Sequence, residues 1–247
     1  MIKAAIDYLV GLGRNEVLIE ANGAKYTYKE LNRLERPLPD CLKTNTLRSI
    51  VDYIKQGFDF GDWGEDFDYI INVVDYQQVH LLLPLNDDSR RPIIINCTAP
   101  QRDNLTFGRF MDVTRFNIMM QSSFLDNIGE KDYKGILLKV VGNLGDGIVK
   151  NFGDDGVSQK TTIKTGVENL AEVKIPNPVV LAPFRTFAEV DQPESKFIFR
   201  LESGRGDEPQ AALFEADGGA WKVYAKEKII EYFKEQLAGM DNVHILG

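Results

Sequence analysis

The stretch KFIFRLESGRGDEPQAALFEAD, residues 196–217, decides the fold. Its two arms, KFIFRLES and AALFEAD, have the length and composition of short strands, and the Gly- and Pro-bearing SGRGDEP between them is a surface loop. The same texture runs backward through VVLAPFRTFAEV (179–190), AEVKIP (171–176), SQKTTIKTGV (158–167), the 148–152 segment and ILLKVVGN (136–143), and forward into WKVYA (221–225). Short strands separated by Gly, Asp, Asn and Pro predict an antiparallel sheet or partly closed barrel. A last helix over Glu227 to Leu237 carries Ile229, Ile230, Phe233 and Leu237 on one side and packs over the sheet.

Upstream, FGRFMDVTRFNIMMQSSFLDN (107–127) places Phe110, Val113, Phe116, Met119 or Met120, and Phe124 on one helical face, with Asp112 as N-cap. That amphipathic helix links two lobes. The first lobe opens with a short helix over Ile2, Ile6, Leu9 and Val10, closed by Gly11 and Gly13. Val17 and Ile19 alternate before Asn22-Gly23 and Tyr26 and Tyr28 after it, which predicts a hairpin over 16–28. A helix capped by Thr44-Asn45 follows, with Leu47, Ile50, Val51 and Ile54 on one face and its end near Gln56-Gly57. FDFGDWGEDFD (58–68) is a loop; a strand from Tyr69 to Val74, then VHLLLPL and RPIIINC joined at Asn86–Ser89, complete an antiparallel sheet. The fold class is therefore α+β, antiparallel sheets in two lobes (1–105 and 106–247) joined by an amphipathic helix, with the C-terminal helix packed on the sheet.

Composition narrows the function. The 247 residues carry 37 acidic and 29 basic side chains, a formal charge of -8, and no run of three Lys or Arg, so nucleic acid is not a favoured partner. The N-terminal MIKAAIDYLVGLG lacks a sustained apolar segment and a cleavage site, and with two cysteines in dissimilar contexts, Cys41 and Cys97, it predicts a cytoplasmic protein with free thiols and no membrane partner. Those cysteines and the distant His80 and His244 have no zinc-ligand spacing, and neither cysteine has a histidine close in sequence. No cofactor is expected.

Asp154 and Asp155, in KNFGDDGVSQ (150–159), pose the metal question most directly. Adjacent acids between strands hold magnesium in polymerases, but there the flanking strands are strongly apolar. Here the flanks are polar and alternate, and an Asp-Gly hairpin turn explains the spacing. Gly142 to Gly147 follows LLKVV with no helix behind it, which supports a loop rather than a phosphate-binding fingerprint. Two constellations remain: Arg185, Glu189 and Asp191 among the prolines of 176–195, and Glu215 and Asp217 before a glycine turn and Trp221. If these segments pair, Arg185 faces Glu215 or Asp217. The pair is then either a structural salt bridge or a ligand or partner site anchored by Trp221.

The order of segments, PLPDCLKTNTLRSIVDYI, paired strands, VTRFNIMMQSSFLDN, then the strand series through VKIPNPVVLAPF and FIFRLESG to ALFEADGGAW, resembles a group of phage and prophage proteins of unknown function. It is distantly similar to the YfdQ-type domain of enterobacterial prophages, from about Pro37 to Trp221 on this segment matching. The resemblance carries no catalytic residues. It implies an early, non-virion phage protein made in the infected bacterium. Such a protein is expected to act without catalysis, by binding a host or phage factor of DNA metabolism or defence, and to self-associate. The alternatives are sequestration of a nucleotide signal near Arg185 and Trp221, a virion or shell component, and a nuclease using Asp154 and Asp155.

Overall fold

A computed structural model describes residues 3, 5–6, 19–26, 37–57, 68–101, 103–126, 131–145, 152–154, 159–165, 169–174, 177–204 and 208–247. The expected opening helix and the loops at 58–67 and 205–207 lie largely or wholly outside them. Contacts group the chain into two units, Met1–Asp40 with Leu85–Pro92, and Cys41–Pro84 with Ile93–Gly247. The sequence boundary at 105 falls inside the second unit.

In the first unit, β1 (Ile19–Ala21) and β2 (Ala24–Tyr26) form the expected hairpin. Asn22 and Gly23 both hold positive φ, 52° and 71°, the backbone that a two-residue turn of this hand requires and that Asn-Gly supplies at least strain.

The second unit holds three sheets, two of them each with its own core. The first sheet has the order β14-β4-β5-β6-β3, formed by β3 (Leu42–Thr44), β4 (Tyr69–Val73), β5 (Gln78–Leu82), β6 (Ile93–Thr98) and β14 (Val243–Leu246). Its centre is antiparallel as expected, but both edges are parallel, β3 to β6 and β14 to β4. A period-2 pattern fixes which face is buried and not which strand lies alongside. Tyr69, Ile71 and Val73 alternate inward with Val79, Leu81, Ile95 and Cys97. They meet α1 (Leu47–Gln56), which buries Leu47, Ile50, Val51, Tyr53 and Ile54 and stops at Gly57 in the left-handed region, φ 64°. Thr44 belongs to β3, not to the helix cap: Thr46 holds that position without a side-chain bond to the helix backbone.

The second sheet runs β11-β12-β13-β7, from β7 (Met111–Asp112), β11 (Val179–Leu181), β12 (Ser195–Ser203) and β13 (Pro209–Glu215). KFIFRLES and AALFEAD pair as read, Phe197 opposite Glu215 and Phe199 opposite Leu213. Phe197, Phe199, Leu201, Ala211 and Leu213 face α2 (Val113–Ser123) and α3 (Tyr133–Gly145). Asp112 caps α2 by accepting from the Arg115 N–H at 2.9 Å, and Phe116, Met119 and Met120 are its buried stripe; Phe110 precedes the helix. A third, separate sheet is β8 (Phe152–Asp154), β9 (Gln159–Thr165) and β10 (Asn169–Lys174), so the strand series is not one sheet or barrel. Asp154 pairs with Gln159 across the β8–β9 hairpin, and Asp155 lies outside the described residues.

Three strand readings are corrected. Of VVLAPFRTFAEV only Val179–Leu181 is strand, the rest being irregular. ILLKVVGN is part of α3, whose Leu137, Val140 and Val141 are buried at helical spacing, and the expected loop at Gly142 is the end of that helix. Asp132 starts it, accepting from the Gly135 N–H at 2.7 Å. WKVYA is the first turn and a half of α4 (Ala220–Gln236), in which Trp221, Ala225, Ile229 and Phe233 recur every four residues on the buried side. Gly218 and Gly219, at φ 64° and 83°, let β13 reverse into a helix that begins seven residues before Glu227. This C-terminal helix packs on the five-stranded sheet, contributing Ile229 and Phe233 to its core.

Candidate functional site

The segment between β11 and β12 crosses from one core to the other. Leu181 and Ala182 are buried beside the second sheet, while Phe187 belongs to the first core. Gln192 shapes the turn between them: its Oε1 accepts from the Arg185 and Thr186 N–H groups at 2.9 and 3.2 Å, and its Nε2 donates to the carbonyls of Phe187 and Val190 at 2.8 and 3.2 Å. A buried amide making four bonds to the backbone replaces the ladder that this irregular segment lacks. Thr186 adds a bond from Oγ1 to the Tyr76 carbonyl, 2.5 Å away, at the turn between β4 and β5.

That turn aims Arg185 inward. Its side chain is 4% exposed, yet its guanidinium donates from Nη1 to Glu215 Oε1 at 2.6 Å and from Nη2 to Ser195 Oγ. Its Cζ lies 3.6 Å from the Trp221 ring centroid, with the Phe197 and Phe107 rings at 5.6 and 6.0 Å. Burial pulls the guanidinium pKa down to about 10, against the opposing pull of Glu215 and Asp217. Asp217 does not touch the arginine; its Oδ1 accepts from the Gly219 N–H at 3.0 Å at the start of α4.

Arg185, Glu215 and Trp221 are therefore one cluster, with Asp217 as a charged neighbour, as the sequence grouping expected. They are not strand partners, because β12 lies between their segments. Trp221 is 5% exposed, with one ring face under Arg185 and Tyr76 edge-on at 4.6 Å. Such an arrangement clamps two cores together and offers no open aromatic face. Ser195, Gln192, Thr186 and Tyr76 were not in the sequence reading: each is an ordinary polar residue, Gln192 and Ser195 bonding within an irregular turn of ten residues that carries no pattern, and Thr186 and Tyr76 meeting only once segments 110 residues apart come together.

Glu189 has a different place. Its Oε1 accepts from the Arg48 N–H at 3.4 Å, supplying α1 with the terminal acceptor that Thr46 does not, and favourably placed against the helix dipole. Beside it a groove of about 490 Å³ is lined by Arg48, Asp52, Lys55, Tyr232 and Gln236. Its charges are partly matched internally, Arg48 Nε standing 3.4 Å from Asp52 Oδ2. Burial, then Glu189, pushes the Tyr232 phenol up.

No family model, curated protein or solved structure matches this chain.

The remaining sequence candidates are dispersed. His80 is half-buried on β5, opposite Asn72 and Asn96, and exposed His244 has Nε2 3.5 Å from Asp68. Among the described residues, no group of three His, Cys, Asp or Glu is placed to hold a metal ion, and no helix is long and apolar enough to cross a membrane. Cys97 is fully buried, its thiol pushed up to about 12 by burial and secondarily by Glu189. Cys41 is half-buried at the start of the edge strand β3. A thiol reagent at neutral pH is expected to label one cysteine per native chain, Cys41, and both after denaturation, as peptide mass mapping would read; rapid native labelling of Cys97 would contradict the packing around it.

Proposed function

We infer that this is a non-enzymatic accessory protein of phage origin that acts inside the infected bacterium by binding a host or phage protein of DNA metabolism or defence, and that it works as a homo-oligomer. The phage assignment rests on the resemblance in segment order. The observation that carries the binding reading is the five-stranded sheet, whose edge strands β3 and β14 have no further strand beside them among the described residues, with Leu42 53% exposed on β3 and Leu246 52% exposed on β14. Open edge strands bearing apolar side chains are the usual template for adding another chain. The side chains best suited to chemistry are meanwhile engaged with one another, Arg185 with Glu215, Ser195 and Trp221.

Affinity capture with the tagged full chain from infected cells tests this reading. A stoichiometric protein partner that survives nuclease treatment is expected; recovery of nucleic acid alone, or of no partner, would defeat it. Sequestration of a nucleotide signal near Trp221 requires a free ring face, and that face is covered by Arg185. Cyclic nucleotides are accordingly expected to leave the melting temperature unchanged, and a saturable rise would favour sequestration instead.

A further inference from the structure

We propose that the groove between α1 and α4 binds a free peptide of about three residues, its terminal ammonium held at Glu189 and its terminal carboxylate at Lys55. The site lies apart from the sheet edges and does not depend on the protein-partner reading. At about 490 Å³ the groove is of ligand size, and it is walled by Arg48, Asp52 and Lys55 of α1 and by Tyr232 and Gln236 of α4. Its charges do not all cancel. Arg48 and Asp52 pair with each other, Nε to Oδ2 at 3.4 Å, which leaves Glu189 and Lys55 to be matched, opposite in sign. Among the described residues Glu189 forms no ion pair and accepts one hydrogen bond, from the Arg48 N–H at 3.4 Å, so its second oxygen is unused. Lys55, exposed on the last turn of α1, has no partner among them either.

Spacing selects the length of the ligand. Glu189 is anchored at the backbone of Arg48, and from Arg48 to Lys55 α1 rises about 10 Å. Three extended residues span about the same distance, so the two ends of such a chain reach both charges at once. Tyr232 suits the ammonium end. Glu189, Arg48 and Asp52 all act on its phenol, which burial first and Glu189 second push up, so it stays a neutral donor beside a ring face that attracts a cation. Its hydroxyl makes no hydrogen bond among the described residues, its ring meeting Phe233 edge-on. The Gln236 amide, one turn further along α4, is unbonded among them as well, and it offers one donor and one acceptor, the two groups that an extended peptide backbone needs. Unlike charges about two helical turns apart also select against a ligand of one sign, so a polyamine or a polyphosphate meets repulsion at one end.

Titration calorimetry of the full chain with trialanine tests the site, with triglycine and trileucine bracketing side-chain size. Saturable binding of at least one is expected, and acetylating its amino end or amidating its carboxyl end should each raise Kd about tenfold by removing one charge-assisted contact. Two variants locate those contacts. Glu189→Gln keeps an acceptor for the Arg48 N–H, and Lys55→Met keeps the stem of an exposed side chain, so both preserve the fold. In Glu189→Gln the acetylation penalty should fall below about twofold while the amidation penalty persists, and Lys55→Met should show the reverse. Penalties that both variants leave intact would place the peptide elsewhere and overturn the proposal. So would blocked peptides that bind the wild type as well as free ones, or no saturable binding of any of the three at millimolar concentration; none of these results bears on whether the chain has a protein partner.

Discussion

Replacing Arg185 by Ala is expected to destabilise the protein by about 3–5 kcal/mol, measured as the shift in a urea unfolding curve at constant slope. Three losses combine. Glu215 loses its 2.6 Å partner, Ser195 Oγ loses the N–H from which it accepts, and the covered face of Trp221 is left against a void. The electrostatic share is moderated because the Glu215 side chain is 36% exposed and can rehydrate, so most of the cost lies in the ring face and the cavity. That apportionment has its own test. Arg185→Met keeps a long side chain over the indole while removing the charge, and burial already opposes that charge, holding its pKa down to about 10. Arg185→Met should therefore stay within about 1.5 kcal/mol of wild type. Equal damage from Met and Ala would mean the ion pair dominates, and a cost below about 1 kcal/mol for Ala would remove Arg185 from any structural role.

How much of this was legible in advance depends on the range over which each residue acts. Asn22-Gly23 and the Asp112 cap are local devices, fully specified within four residues, and both are where the sequence placed them. The strands at 69–73, 78–82 and 93–98 were also found, as short apolar runs bounded by polar turns, although only the first alternates strictly in burial. ILLKVV failed for the opposite reason. A continuous apolar run satisfies both periods, and only Asp132, a cap five residues before the run's centre of burial at Leu137, favours the helix.

The site was half legible on the same principle. Arg185 and Glu215 could be grouped because both adjoin recognisable strands, yet the partner that changes their meaning is Trp221, which was read as a strand residue free to anchor a ligand. As the second residue of α4, on the buried stripe with Ala225, it turns inward and is covered. Reading 221–225 as a strand thus left the salt-bridged pair and the ligand site both open, where the helix covers the ring face that the ligand site would use. The parallel edges were invisible because β3 and β14 reach the sheet through long connections that carry no turn signature.

The clamp makes a statement about cooperativity, which truncation of either core can test. Phe233 and Phe199 are both fully buried, the first beneath α4 in the core of the five-stranded sheet, the second on β12 with its ring 5.5 Å from Phe116. Phe233→Ala and Phe199→Ala should each cost about 3–5 kcal/mol, or roughly 10 °C in melting temperature for a protein of this size. The informative quantity is the shape of the transition. The segment from Leu181 to Ser195 feeds Phe187 into one core and Leu181 into the other, and Arg185 and Thr186 tie it to Trp221 and Tyr76. Neither core can open without stranding a buried arginine, so both variants should melt in one step, with far-ultraviolet circular dichroism and the fluorescence of Trp221, isolated in a Trp63→Phe background, moving together. Adding Arg185→Ala to Phe233→Ala should separate the two signals, the weakened first core melting ahead of the second. A single transition persisting in that double variant would place the coupling elsewhere than at Arg185, and two transitions in the wild type would show that the cores were never joined.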